Sequence, residues 1–134
     1  MVDTSIGRVV SFNAPIGGFN ATKNVLLFAA PSRCYIRSIS LISDTATTGS
    51  DGSNNFTFQV GNVTDTVNLM SAARSTNGAE LAANTPVSLA INQNLLLDLN
   101  DVIRLVITKT GSPTDLSSAN VIVTITALLT DTDI

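Results

Sequence analysis

Period-two alternation of apolar and polar positions runs through most of the chain. Phe56, Phe58 and Val60 alternate with Thr57, Gln59 and Gly61, and Val87, Leu89 and Ile91 with Ser88, Ala90 and Asn92. Ile103, Leu105 and Ile107 alternate with Val102, Arg104, Val106 and Thr108, and Val121, Val123 and Ile125 with Ile122, Thr124 and Thr126. A strand reads this way when one face enters a core, and Val, Ile, Thr and Phe suit a pleated surface. Strands are predicted near residues 5–12, 22–30, 34–43, 54–61, 63–70, 86–91, 94–99, 102–109 and 119–129. Turn residues punctuate them: Pro15 to Gly18, Pro31-Ser32, Thr48 to Ser53, Asn100-Asp101 and Thr110 to Pro113. Asn100-Asp101 reads as a tight hairpin, since both residues tolerate positive φ. A helical turn is conceivable only over Asn77 to Ala83. Short strands at this spacing predict an all-β sandwich or barrel.

The division along the chain is an N-terminal strand or arm over residues 1–21 and a β-sandwich over 22–134, one domain overall. Ile6, Val10 and Phe12 share one face of the first strand, and Pro15 to Gly18 separate it from the body. A detached strand cannot bury that face alone, so it must add to a sheet edge, its own or a neighbour's.

Some strands are apolar on both faces. Val102 and Val106 oppose Ile103, Leu105 and Ile107, and Leu95, Leu96 and Leu97 run consecutively. Such second faces are covered by loops or meet other copies. Contiguous apolar surface marks an interface, so copies are the expectation, with Ile6, Val10, Phe12, Val102 and Val106 as candidate contacts with other subunits or a capsid.

Composition narrows the class. A chain of 134 residues fits one domain, and 13% charged beside 44% hydrophobic residues excludes disorder. Ser, Thr and Asn supply 44 residues, so polarity comes from small neutral side chains. A net charge of −3, with only two Lys and five scattered Arg, offers no basic stripe for nucleic acid or an anionic membrane. Met1 to Ser5 carry neither a basic nor an apolar signal region, so a cytoplasmic product is expected.

Candidate chemistry is sparse. Without His there is no Ser-His-Asp or Cys-His arrangement and no His-based metal site. Cys34 reads as a small hydrophobe, not a reactive thiol. Asp51 to Asn55 is oxygen-rich but lacks the ligand spacing of a calcium loop, and Asp98 with Asp101 reads as a turn cap before a cation site. Tyr35, the one tyrosine, is the only candidate platform for a sugar, and its strand position favours core or interface. No catalytic residue, cofactor or metal is expected.

Three stretches carry a resemblance: the run NVLLFAAPSRCYIRSISLISD, the polar loop TATTGSDGSNN before FTFQV, and LLLDLNDVIRLVITKTGSP leading into a Val/Thr-rich last strand. Over Val25 to Leu128 the chain resembles jelly-roll capsid decoration (cement) proteins of tailed bacteriophages. Asn100 stands where that pattern has Gly before the late Asp. The resemblance implies a jelly-roll-like antiparallel β-sandwich of about eight strands. It further implies a homotrimer, assembled in the host cytoplasm, that binds major capsid protein on the outer surface of the virion head and stabilises it. The alternative is a phage tail, fibre or adhesin module for host-surface carbohydrate; a bacterial carbohydrate-binding module ranks third, for want of Trp.

Overall fold

Val121, Val123 and Ile125 point inward from the last long strand and are at most 1% exposed, while Ile122, Thr124 and Thr126 between them face outward. The same alternation buries Ile103, Leu105 and Ile107 completely, opposite Phe58 and Val60. Each such side chain withdrawn from water contributes about 1.5–3 kcal/mol. These rows form the two inner faces of a sandwich.

The computed structural model describes residues 7–19, 21–92, 95–114 and 116–128. Among them lie ten strands and no helix: β1 (Gly7–Phe19), β2 (Lys23–Ala29), β3 (Cys34–Ser43), β4 (Asn55–Asn62), β5 (Val67–Asn68), β6 (Arg74–Ser75), β7 (Val87–Ser88), β8 (Leu96–Leu97), β9 (Val102–Thr110) and β10 (Leu116–Leu128). One sheet has the order β1-β10-β3-β7, with β8 also on β3; the other has β2-β9-β4-β5, with β6 also on β4. Every pairing is antiparallel, and the pairs are nested: β1 with β10, β2 with β9, β3 with β7 and β8, β4 with β5 and β6. A long hairpin rolled upon itself gives this order, which is the jelly roll.

Several boundaries differ from the sequence expectation. Pro15 to Gly18 do not end the first strand. β1 runs through them, with register shifts between Pro15 and Gly17 and between Gly17 and Phe19. Gly17, at φ 73°, takes up the irregularity, and Pro15 is tolerated because β1 is an edge strand. Ala14 and Ile16 are thereby buried in the core. The strand expected over 63–70 shrinks to β5, because the Asn62 side chain accepts the Asp65 N–H at 3.2 Å and turns the chain. No helical turn forms over Asn77 to Ala83. The Asn100-Asp101 turn exists, with Asn100 at φ 69°, but it is no hairpin: β8 belongs to one sheet and β9 to the other. At the β1–β2 side, Phe12 and Phe28 meet edge to face at 5.2 Å and help close the sandwich.

Candidate interaction surface

Most of the described carboxylates hold backbone N–H groups. Asp51 Oδ1 accepts the N–H groups of Ser53 and Asn54, both at 2.8 Å, which keeps this exposed carboxyl below its ordinary range. The oxygen-rich loop Asp51 to Asn55 is thus a self-capped tip. Glu80 accepts the Ser50 N–H at 2.6 Å and its hydroxyl at 3.0 Å. Asp101 is buried; its Oδ2 accepts the Asp98 N–H at 2.9 Å and the Asn62 side-chain amide at 3.2 Å. Asp101 caps the turn as expected, whereas Asp98 joins it through its backbone N–H and carbonyl. Among the described residues no three His, Cys, Asp or Glu side chains converge as metal ligands.

Cys34 is fully buried in β3. Desolvation, with the Asp101 charge second, raises its pKa, the opposite of what a nucleophilic thiol requires. Tyr35 is half-buried and lines a cleft of about 730 Å³ at the β3 edge with Arg37, Ser38 and Leu89. This one tyrosine stands without a second aromatic ring among the lining residues.

What remains are faces. On the outside of the β2-β9-β4 sheet, Val102 and Val106 are half-buried and alternate with the fully buried row of β9. Cross-strand register sets Arg104 between them, opposite Leu26 on β2 and Gly61 on β4. Leu26 is 69% exposed, and Val63 and Val67 are also exposed at the rim. Gly61, having no side chain, leaves room beside Arg104, and a groove of about 320 Å³ opens there. The sequence reading named Val102 and Val106 but not Arg104, Leu26, Val63 or Val67. The period-two pattern already placed Arg104 on that face; Val63 and Val67 required the fold.

On the other sheet, Val10 sits opposite Ile125 and Phe12 opposite Val123, so both lean toward the core from the edge strand. Val10 remains 38% exposed and Phe12 partly so. The outer edge of β1 has no partner strand among the described residues. Ile6 lies outside the described residues.

A two-sheet jelly roll with polar loop tips and partly apolar outer faces defines the class: an architecture shared by viral capsid and lectin domains. The chain is similar to a chain of the cyanophage Pam1 capsid asymmetric unit, 18% identical, covering 90% of this chain and 86% of that one at a TM-score of 0.59. It also resembles the VP2 subviral particle of infectious bursal disease virus, 16% identical over 93% of this chain but only 34% of that one, at 0.45. A chain of Bacillus endospore appendages is 16% identical over 97% of this chain and 96% of that one, at 0.40. Of the three, only the first is near enough to define a shared fold. No protein-family profile matches the chain, and no curated protein matches it.

Proposed function

We propose that this chain is a structural capsid accessory protein: a decoration or cement protein that binds the outside of an assembled phage head and bridges neighbouring major capsid subunits. The observation that carries this reading is the near whole-length match to a chain of a phage capsid asymmetric unit. With 90% of one chain on 86% of the other, the two are of nearly equal size, so the matched unit is a small jelly roll in its own right. A fold alone does not define a function. The residues support the reading independently: a sequence without His, described carboxylates largely engaged as caps, and partly apolar faces exposed outside both sheets.

The mechanism is adhesive, not enzymatic. A protein that binds the assembled shell better than free subunits stabilises the shell by mass action. The outer edge of β1, Ile6 ahead of it, and the face around Val102 and Val106 are the surfaces we assign to contacts with capsid or sister copies. The place of action is the virion surface.

Sedimentation of the purified protein with shells of the virus that encodes it tests the reading. Saturable co-sedimentation and a higher melting temperature of the decorated shell are expected. Binding to host cells or polysaccharide, with no affinity for shells, overturns it in favour of an adhesin. Removal of residues 1–6 is expected to weaken shell binding while leaving the melting temperature of the free protein unchanged.

A further inference from the structure

The alternation of β3 fails at one point. Its register with β10 passes from Ile36 opposite Ile125 to Ser38 opposite Thr124, so Arg37 is one residue in excess, a β-bulge. Ile36 and Ile39 stay buried, and both residues between them, Arg37 and Ser38, are exposed. A regular strand would turn one of the two toward the core.

The other border of β3 is broken at the same height. β7 pairs with it at Ser40 and Leu41 and β8 at Cys34 and Tyr35, with no strand between them among the described residues. The chain after β7 turns away there. The Leu89 N–H bonds the Ile39 carbonyl at 2.8 Å, the Ile91 N–H folds back to the Leu89 carbonyl at 2.8 Å, and the Asn92 N–H reaches the Leu69 carbonyl at 2.7 Å. The cleft of about 730 Å³ is this gap, and its size is that of a small-molecule site. Because β7 and β8 close it along β3, it suits a compact ligand better than a through-running strand.

The lining has mixed chemistry. Arg37 is its one charged residue, and the guanidinium has no partner among the described residues. The Ser38 and Ser88 hydroxyls are likewise unbonded among them. Asn92 Oδ1 accepts the Ser71 hydroxyl at 2.5 Å, which leaves its amide N–H groups as donors. Leu89 and the half-buried ring of Tyr35 add apolar surface. Arg8 and Arg33 are as exposed as Arg37 but do not line the cleft, and Arg104 belongs to the groove on the other sheet.

One guanidinium fixes one anionic group, while neutral hydroxyl and amide groups beside a ring suit the hydroxyls and the C–H face of a sugar. We infer that this cleft binds a sugar carrying a carboxylate. Arg37 holds the carboxylate, Ser38, Ser88 and Asn92 take ring hydroxyls, and Tyr35 packs on the apolar face. An exposed ion pair is weak by itself, so all of these contacts are needed for affinity. The inference goes beyond shell binding. The cleft lies at the edge of its sheet opposite β1, and Val102 and Val106 are on the other sheet, so the two kinds of binding can coexist.

Titration of isotope-labelled protein with galacturonate, glucuronate and N-acetylneuraminate, followed by NMR, tests it. About 0.1 M salt screens diffuse attraction beyond roughly 10 Å. Saturable shifts over residues 35–38 and 88–92 are expected with at least one acid, and at least tenfold weaker binding of galactose and glucose. Arg37→Gln should lose at least tenfold in affinity with an unchanged melting temperature, and Asn92→Ala severalfold. Arg33→Gln, outside the cleft, should bind like wild type. The inference falls if none of the three acids binds or if the neutral sugars bind equally well. It also falls if Arg33→Gln loses as much as Arg37→Gln, or if a triglutamate peptide binds as tightly as the best sugar. Arg37→Gln should still sediment with shells like wild type, so failure of the glycan site and failure of the proposed function are read separately.

Discussion

Glu80 Oε1 accepts the Ser50 N–H at 2.6 Å, tying together two loops that lie 30 residues apart in sequence. The Ser50 hydroxyl adds a second bond at 3.0 Å. Beside them, Thr47 and Leu81 exchange bonds: the Thr47 N–H reaches the Leu81 carbonyl at 3.0 Å, and the Leu81 N–H the Thr47 hydroxyl at 2.8 Å. The one glutamate in the chain is thus a clasp on the loops that follow β3 and β6.

That clasp has a pH signature. The Thr47 hydroxyl chiefly holds the Glu80 carboxyl below its ordinary value; burial opposes it, and the Ser50 N–H and hydroxyl add smaller lowering effects. A carboxyl with a lowered folded pKa contributes stability that is fully present above the unfolded value, about 4.3, and lost as pH falls through the folded one. Glu80→Gln should therefore lower stability at pH 7 by under about 1 kcal/mol, since the site is screened by solvent. Thermal melts from pH 7 to pH 3 should show the gap between variant and wild type closing below about pH 4. With no histidine in the chain, the wild-type melting temperature should be flat between pH 6 and 8.

Asp101→Ala should cost about 2 kcal/mol, read as a lower denaturant midpoint. It strips the acceptor from the Asp98 N–H and from the buried Asn62 amide. Asp101→Asn, which keeps an acceptor oxygen, should lose less than half as much. A melt with EDTA and then calcium should leave the wild type unshifted, because the Asp101 Oδ2 already serves two protein donors.

Gly111→Ala should be among the most damaging single substitutions, at about 3 kcal/mol or more. Gly111 has φ 65°, and an added Cβ would overlap the Ser53 carbonyl and lie 2.6 Å from Asn54 Oδ1. Gly78 provides the control. It has φ 71° with open space around it, so Gly78→Ala should cost only the backbone strain, about 1–2 kcal/mol. Chemical denaturation of the two variants side by side checks the order.

Leu105 and Val106 are neighbours on opposite faces of β9. Leu105→Ala should cost about 3–4 kcal/mol, because its side chain is fully buried between the sheets. Val106→Asp should leave the melting temperature within a few degrees while weakening self-association, because Val106 lines the outer groove. Paired melts and sedimentation runs distinguish the two.

Cys34 should react with a thiol reagent at pH 8 at least about 100-fold more slowly in the native protein than in guanidinium, because burial shields it and raises its pKa. A rapid native reaction would contradict its placement in the core.

The alternation around Phe58, Leu105 and Val123 determined the β class and the inward rows of the long strands. Period two sorts side chains onto faces before any partner is known. It also placed Val102, Arg104 and Val106 together on an outer face. The absence of His ruled out His-based catalytic and metal arrangements before any fold was known. Only the tertiary structure decided the rest, because it depends on pairing between distant segments. Pro15 and Gly17 look like a break in isolation, yet β10 carries β1 through them as an edge strand with shifted register. Asn100-Asp101 looks like a hairpin, yet β3 takes β8 into one sheet while β2 and β4 take β9 into the other. Among the described residues, Asp44, Glu80 and Asp101 became acceptors for Ser118, Ser50 and Asn62, which the local sequence does not name. Arg104 acquired its recess because Gly61, from another strand, came to lie beside it. Local sequence sets which way a side chain faces; long-range pairing sets what it meets.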